Sequence, residues 1–296
     1  MGMDNALMNR GVLILAMGHP YYGEMAANLA MSLKFANKET KICLAWEGDA
    51  KNHLTTGKLA LFDEIIEVPQ EYIMKGGKKA YFKAKTYINK LSPFEETIFL
   101  DADMIWFGKR GVDVLFEELK HLDFTIQNRD FIDFAEPIVN EKYSIWANVK
   151  EIKDKYQFTK GKYYSLHSEF IYFKKTKAVE DYFKDVQEIY ENPQVKATVF
   201  AGDIADELAF TIAMCKHKMY PHKTPFLPIY WAKAETSISI NQAIETFFAY
   251  SMGGNVTNST MTQKYDAMAK AYAYRLGLTA WKFKQKNRWL QERQKL

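Results

Sequence analysis

The sequence predicts an α/β protein: a single domain on a mostly parallel sheet flanked by helices, with a helical extension at its C-terminal end. Three observations carry this reading. An apolar run, a turn and a helix-periodic segment open the chain. Strand-like and helix-like segments then alternate over roughly the first hundred residues. Within them, Ile98-Phe99-Leu100 reads as a buried parallel strand and runs into Asp101-Ala102-Asp103. That puts two carboxylates at the carboxyl end of a strand, where open α/β sheets bind their ligands.

The elements follow in order. Gly11 to Met17 is a short β-type run, broken by Gly18-His19-Pro20. Tyr22 to Phe35 carries Met25, Leu29 and Leu33 at helical spacing, with Ala26 and Ala30 on the neighbouring stripe. Lys41 to Trp46 and Glu64 to Val68 are the next strands, the second closed by Pro69. Lys78 to Leu91 reads as one helix, ended near Ser92-Pro93. The strand before Asp101 completes a Rossmann-like half. A short helix at Val112 to Leu119 and a strand at Leu122 to Gln127 come next. Asp130 to Lys162 is mixed and reads as an insert or lid near an acceptor. Leu166 to Phe173 is a strand, and Ala178 to Tyr190 and Asp203 to Lys216 are helices. Asp203 is the expected N-cap of the latter, with Asp206 at its third position. Phe247 to Met252 is a strand ending in Gly253-Gly254. Helices at about Met261 to Leu276 and Ala280 to Gln294 finish the chain. The expected division is a domain over 1–260 and a basic helical extension over 261–296.

Composition narrows the function. A chain of 296 residues can bury a sizeable core. Its wealth of Tyr, Phe and Trp suits a sugar-binding cleft or an aromatic core equally. No stretch approaches the roughly 20 apolar residues that span a bilayer. Met1 to Asn5 lacks the layout of a signal peptide, and Ala6 stands where myristoylation wants Ser or Thr. The expected location is cytoplasmic. Cys43 and Cys215 read as reduced core residues. The sequons at Asn255 and Asn258 read as chance. Net charge is +4, too modest for a declared nucleic-acid binder. The stretch from Ala280 onward carries six basic residues against Glu292, so the rest of the chain is close to neutral. Helix-turn-helix, zinc-finger and P-loop spacings are absent from the sequence.

The chemistry centres on the acid pair. Acids at i and i+2 on extended chain point the same way, and unneutralised they repel. A divalent cation bridged to a diphosphate removes the conflict, and hard oxygen ligands suit Mg²⁺ or Mn²⁺. The plain alternative is two solvated acids in a turn. Four further segments accompany the pair: Met17 to Tyr22 with Leu29 to Leu33; Lys85, sixteen residues before Asp101; His167-Ser168-Glu169-Phe170-Ile171-Tyr172-Phe173; and Gly202-Asp203-Ile204-Ala205-Asp206-Glu207-Leu208.

Together these resemble a nucleotide-sugar glycosyltransferase of the GT-A fold, similar to family 8, the group of glycogenin and bacterial lipopolysaccharide glycosyltransferases. The resemblance covers roughly residues 11 to 254. It implies that Asp103 binds the metal, and that Asp101 binds the metal and the donor's ribose or phosphate. It implies that Tyr22 lies beside the uracil and that Lys85 pairs with phosphate, which Lys binds as a point charge, or with the acidic loop. Asp206 matches the family's Asp and Glu207 replaces its Gln. Glu169 replaces a Gly of the family's Asn-Ser-Gly motif and stands as a sugar-hydroxyl acceptor, a base, or simply a residue facing elsewhere. Gly253 and Gly254 would let backbone approach the pyrophosphate. The family's third metal ligand, a His, has no counterpart in Ala249 to Asn255; Ser251, Asn255, water, or His217 or His222 are its candidate substitutes.

The implied reaction is Mn²⁺- or Mg²⁺-dependent transfer of a sugar from a UDP-sugar to a glycan or lipid-linked glycan, with retention. Asp206, Glu207 and Glu169 are the implied catalytic or orienting carboxylates. Three rivals remain: an inverting transferase acting on a protein or nucleic-acid acceptor with one of these acids as base, a nucleotidyltransferase, and a degenerate nucleotide-sugar-binding protein. The tail residues Trp281, Lys282, Phe283, Lys284, Lys286, Arg288, Trp289 and Arg293 combine charge with aromatics, which suits peripheral contact with an anionic membrane.

Overall fold

The computed structural model describes residues 9–138, 146–200, 202–222, 228–231, 239–253 and 259–277. In chain order the strands are β1 (Arg10–Ala16), β2 (Ile42–Trp46), β3 (Glu64–Glu67), β4 (Met74–Lys75), β5 (Lys78–Lys79), β6 (Glu96–Asp101), β7 (Met104–Trp106), β8 (Phe124–Asp133), β9 (Lys162–Lys174), β10 (Val199–Phe200), β11 (Asp203–Ile204), β12 (Ile229–Trp231) and β13 (Ala249–Ser251). The helices are α1 (Pro20–Ala36), α2 (Thr56–Leu59), α3 (Tyr81–Lys85), α4 (Ile88–Leu91), α5 (Asp113–Leu119), α6 (Val149–Lys155), α7 (Lys177–Glu191), α8 (Asp206–His217), α9 (Ile240–Thr246) and α10 (Ser259–Arg275). This is a mixed α/β fold with a mostly parallel central sheet flanked by helices.

The chain divides into two compact units. The first comprises Met1–Leu13, Ile66–Phe99 and Glu118–Leu227; the second comprises Ile14–Ile65, Leu100–Glu117 and Pro228–Leu296. Strands β1 and β6 start in the first and end in the second.

In the second unit the sheet order is β3-β2-β1-β6. Strand β1 is apolar and almost wholly buried, as a strand covered on both faces must be. Helix α1 starts at Pro20, which suits a first helical position, and His19 caps it by accepting the Tyr21 N–H on Nδ1 at 3.2 Å. The helix buries eleven consecutive residues from Gly23 to Leu33, among them Glu24, whose carboxylate pairs with the buried ammonium of Lys58. Glycines knit the loops at the sheet's edge. Gly18 has φ +73° and Gly48 +65°, and the Gly18 N–H donates to the Glu47 carbonyl at 3.2 Å. A small second sheet runs β12-β13-β7, with β13 antiparallel to β7.

In the first unit the order is β1-β6-β9-β8. Strands β8 and β9 are antiparallel, and their register shifts twice. Helix α7 is capped by Thr176 and buries Val179, Tyr182, Phe183, Val186, Ile189 and Tyr190, a stripe at helical spacing. It packs on α8, where the Tyr182 hydroxyl donates to the Phe210 carbonyl at 3.1 Å.

Two expectations are corrected. Lys78 to Leu91 is not one helix: β4 and β5 form a hairpin turning on Gly76 and Gly77, both at positive φ, and two short helices, α3 and α4, follow. Asp203 is not a helix cap; it belongs to β11, and α8 begins at Asp206 behind Ala205. Strands β8 and β9 are also longer than expected, and β8 takes residues 130–133 from the segment read as an insert. The helix expected over 280–294 and the whole basic tail from Ala280 onward lie outside the described residues.

Candidate functional site

The second unit holds the acid pair. Asp101 closes β6 and is half-buried; Asp103, two residues on, is 6% exposed. Strand β13 fixes what lies beside them. Ser251 pairs with Met104 across the ladder, and the Met252 N–H donates to the Asp103 carbonyl at 3.2 Å. The turn that follows has Gly253 at φ +56°, its N–H donating to Ser251 Oγ at 2.9 Å. Helix α1 is tied to the same place, because Ser32 Oγ accepts the Trp106 N–H at 2.9 Å. Tyr21 and Tyr22, both half-buried, open that helix. Burial raises the Tyr21 phenol well above its ordinary value, and the charges of Asp266 and Asp103 add to this. Tyr21 and Tyr265 thus both feel the charge of Asp103. Gly254 lies outside the described residues, as does Asn255.

The donor set fits a small hard cation. Two carboxylates are too few for an all-protein cage, and among the described residues no third His, Cys, Asp or Glu completes a metal-holding group. Mg²⁺ and its like are held in this way, through one or two carboxylates plus water and substrate phosphate. His217 and His222 are occupied elsewhere. His217 Nε2 lies 2.9 Å from Asp185, and His222 Nε2 lies 3.3 Å from Glu118.

The first unit gathers the other predicted groups. Lys85, in the last turn of α3, donates from Nζ to Ser168 Oγ at 3.2 Å. Glu207, in the first turn of α8, receives a hydrogen bond on each carboxylate oxygen. The Ser168 N–H donates to Oε1 at 3.2 Å, and the Trp146 indole N–H donates to Oε2 at 2.5 Å. Two acids in the first turn also suit the helix dipole. Burial raises the Glu207 carboxyl to about 8, and the charge of its neighbour Asp206 adds to the rise; Lys85, Ser168 and Trp146 oppose it. The Asp206–Glu207 pair therefore retains a proton near neutrality, a property of the pair rather than of either acid. Burial and the charge of Arg129 lower His167 to about 4, so its imidazole is neutral. Its Nδ1 lies 4.0 Å from Glu207 Oε1. Ser168, Glu169 and Phe170 fall in a register shift of the β8/β9 ladder. Such bulges re-aim side chains beside functional sites, and Ser168 and Glu169 are both buried here.

No family model matches the chain, and no curated protein matches it. Solved structures do. The bifunctional glycosyltransferase WbbM matches at a TM-score of 0.57 with 14% identity, over 90% of this chain and 50% of that one. The galactosyltransferase LgtC, in complex with donor and acceptor sugar analogues, matches at 0.53 with 12% identity, over 88% of this chain and 95% of its own. An active-site variant of LgtC matches at 0.53 with 11% identity. This is the GT-A glycosyltransferase fold. The chain spans half the length of the WbbM structure and nearly all of LgtC.

The sequence reading gathered the predicted site residues into one constellation within a single domain; the structure places Asp101, Asp103 and Gly253 in one unit, and Lys85, Glu169, Asp206 and Glu207 in the other. The reading missed Tyr21 and Trp146. Tyr21 stood within the Met17 to Tyr22 segment, beside the tyrosine that was singled out. Trp146 had no local signal, since its partner is 61 residues away.

Proposed function

We propose that this chain is a metal-dependent glycosyltransferase that moves a sugar from a UDP-sugar to a glycan or lipid-linked glycan. The observation that carries the reading is the acid pair at the end of β6, its Asp103 buried and fastened to the Ser251–Gly253 turn, in a GT-A fold. Asp101 and Asp103 would hold Mn²⁺ or Mg²⁺. When bound, the cation supplies Lewis-acid neutralisation of the charge that develops on a departing diphosphate.

The chain's own residues supply the rest. The small profile of the glycine turn at Gly253 lets backbone approach phosphate. Tyr22 offers a ring to the base. Lys85 brings a positive charge for phosphate, and its hydrogen bond to Ser168 holds the ammonium in place. Glu207 is pinned on both oxygens, so it can orient a hydroxyl without swinging away. Asp206 and Glu207 share a proton near neutrality, which equips them to exchange one with a sugar hydroxyl. Glu169 sits in the same bulge as Ser168 and is the third carboxylate of this set. Retention of anomeric configuration rests on the resemblance to family 8.

Calorimetry with UDP and a panel of UDP-sugars, with Mn²⁺ and with EDTA, tests the metal and the donor together. Tighter binding with Mn²⁺, accompanied by slow hydrolysis of one UDP-sugar, is the expected result. Equal affinity in EDTA removes the metal assignment, and binding without any turnover points to a non-catalytic nucleotide-sugar binder. The basic aromatic tail extends the proposal to a membrane-bound acceptor, since each basic residue near an anionic surface contributes about 1 kcal/mol. Full-length protein should sediment with anionic vesicles at low salt, and protein lacking Ala280 to Leu296 should not.

A further inference from the structure

The hydrogen bond from the Trp146 indole N–H to Glu207 Oε2 joins residues 61 apart in the chain. One small element carries both of its ends. The segment leading into β10 lies along the backbone of Trp146: the Thr198 N–H donates to the Trp146 carbonyl at 2.7 Å, and Ala147 and Ala197 form an antiparallel bridge. The chain turns at Gly202, where φ is +89°, and β11 returns beside β10 with Asp203 opposite Phe200. One residue after β11, α8 opens with Asp206 and Glu207. So β10 follows the segment bound to the hydrogen-bond donor's backbone, and β11 feeds the helix that bears the acceptor. The return strand is itself fixed, because the Tyr190 hydroxyl donates to Asp203 at 2.7 Å and Lys75 lies 3.4 Å from the same carboxylate.

Fixing the backbone does not fix the indole. A side chain turns about its own bonds, and the bond to Glu207 lasts only while those rotations are restricted. Phe200 restricts them. Its ring centroid lies 5.5 Å from that of Trp146 at 58°, a tilted contact of the kind aromatic pairs favour, and 5.7 Å from that of Phe82 in α3. Yet Phe200 is 49% exposed. Its neighbour Val199, which the alternation of a strand turns to the other face, is 66% exposed. Side chains so exposed add little to the core, so the contact with Trp146 is what a change at Phe200 disturbs first.

We propose that Phe200 is a positioning residue for sugar transfer, its ring holding the Trp146 indole against Glu207. The proposal rests on the glycosyltransferase reading and adds to it a residue outside the carboxylate set. Loss of the contact acts in one direction. Trp146 favours the ionised Glu207 carboxylate, as do Lys85 of α3 and the Ser168 N–H of β9, while burial and Asp206 on the same helix oppose it. The other groups around it stay as they are. His167 of β9 is neutral through burial and the charge of Arg129, Glu169 of that strand is buried, and Tyr190 of α7 is kept protonated by burial, Asp203 and Asp206. A loosened indole therefore moves the Glu207 carboxyl further up from about 8.

The test reads Glu207 directly and also through turnover. Full-length protein isotope-labelled at the glutamate carboxyl carbons is titrated by NMR without ligand, and Glu207→Gln identifies the signal. Hydrolysis of UDP-glucose, UDP-galactose and UDP-N-acetylglucosamine is measured with Mn²⁺. In Phe200→Ser the Glu207 midpoint should rise, in the same direction as in Trp146→Phe. Its kcat should fall about threefold to tenfold at unchanged donor KM, part of the worth of one hydrogen bond to a charged group. Phe200→Tyr, which keeps the ring, and Val199→Ser, on the opposite face, should match wild type. Phe200→Ser combined with Trp146→Phe should move the midpoint no further than Trp146→Phe alone, because both act through one bond. Phe200→Leu, which keeps an apolar side chain but no ring, gives the same comparison where the serine variant does not fold. A midpoint that stays put without the ring, that moves as far in Val199→Ser, or whose shifts add in the double variant overturns the proposal. A wild type that hydrolyses none of the three UDP-sugars, while the midpoint still follows Phe200, overturns the glycosyltransferase reading and the role in sugar transfer with it; the contact between Phe200 and Trp146 then stands alone.

Discussion

A carboxylate as buried as Asp103 gives up hydration that something must replace. If a cation replaces it, Asp103→Asn removes half of the ligand charge while conserving shape. Turnover, or donor hydrolysis, should fall by about 100-fold or more, with the far-ultraviolet circular dichroism unchanged. Turnover equal to wild type would dismiss the site. Lys85→Ala should be milder, weakening donor affinity without abolishing metal binding. It should also move a pH limb. Lys85 and the Trp146 indole both favour ionised Glu207, so Lys85→Ala and Trp146→Phe should each raise the pKa near 8 in the rate profile. A limb that stays put in both variants would disconnect Glu207 from the chemistry. His167 makes a separate prediction for stability. Its folded pKa of about 4 lies below the unfolded value near 6.5, so the unfolded chain binds the extra proton between them. Stability contributed by the neutral ring is complete above pH 6.5 and is lost as pH falls towards 4, by up to about 3 kcal/mol. His167→Gln should flatten that part of a urea-denaturation series against pH. At this scale the sequence was informative where chemistry is local. Asp101 and Asp103 are neighbours on one strand end, so they could be read directly. Glu207 acquires its character from Trp146 and Ser168, 61 and 39 residues away. Such a circumstance is not written in a window of sequence.

At the scale of elements, periodicity found the long helices and the buried strands, because a stripe on α7 and an apolar run in β1 leave few alternatives. It failed where side chains override the backbone pattern. In the stretch from Lys78 to Leu91, Lys83 reaches back to the Met74 carbonyl at 2.7 Å, and Thr86 Oγ donates to the Lys83 carbonyl at 2.7 Å. These bonds fold the segment into a hairpin and two short turns of helix. Asp203 has the residue type of a cap, yet it is claimed by a hairpin, where the Tyr190 hydroxyl donates to it at 2.7 Å and Lys75 lies 3.4 Å away. A glycine in α1 shows the reverse case, a residue the helical pattern merely tolerates but the packing demands. A Cβ at Gly23 would lie 1.7 Å from the Ala50 carbonyl oxygen. That contact is with backbone, which cannot turn aside as a side chain does. Although Ala is the better helix former, Gly23→Ala should therefore destabilise the protein by about 1–3 kcal/mol, the usual cost of overpacking. A lower urea midpoint at unchanged slope is the expected signature, and a higher midpoint would mean that α1 and the loop at Ala50 do not meet in solution.

For the molecule as a whole, the GT-A fold was legible from the order of its first strands and helices and from where the acids fall in that order. The likeness to WbbM and LgtC at 14% and 12% identity shows how little of the sequence such a fold requires. What the fold does require is that the strand ends be held in place, and the acids there come at a cost. Like-charged carboxylates placed two residues apart, one of them buried, oppose folding until something neutralises them. A ligand that binds only the folded state returns that stability by mass action. With Mn²⁺ and UDP each at about 100 times its dissociation constant, the bound pair should add about 2.7 kcal/mol or more, and the melting temperature should rise by roughly 5 to 11 °C for a chain of this size. Mn²⁺ alone should give a smaller rise, UDP with EDTA almost none, and Asp103→Asn should abolish the response to the combination. Scanning calorimetry on the full chain distinguishes these cases. Additive, independent rises from the cation and the nucleotide would mean that they bind apart, and that the acid pair is not a diphosphate-bridged metal site.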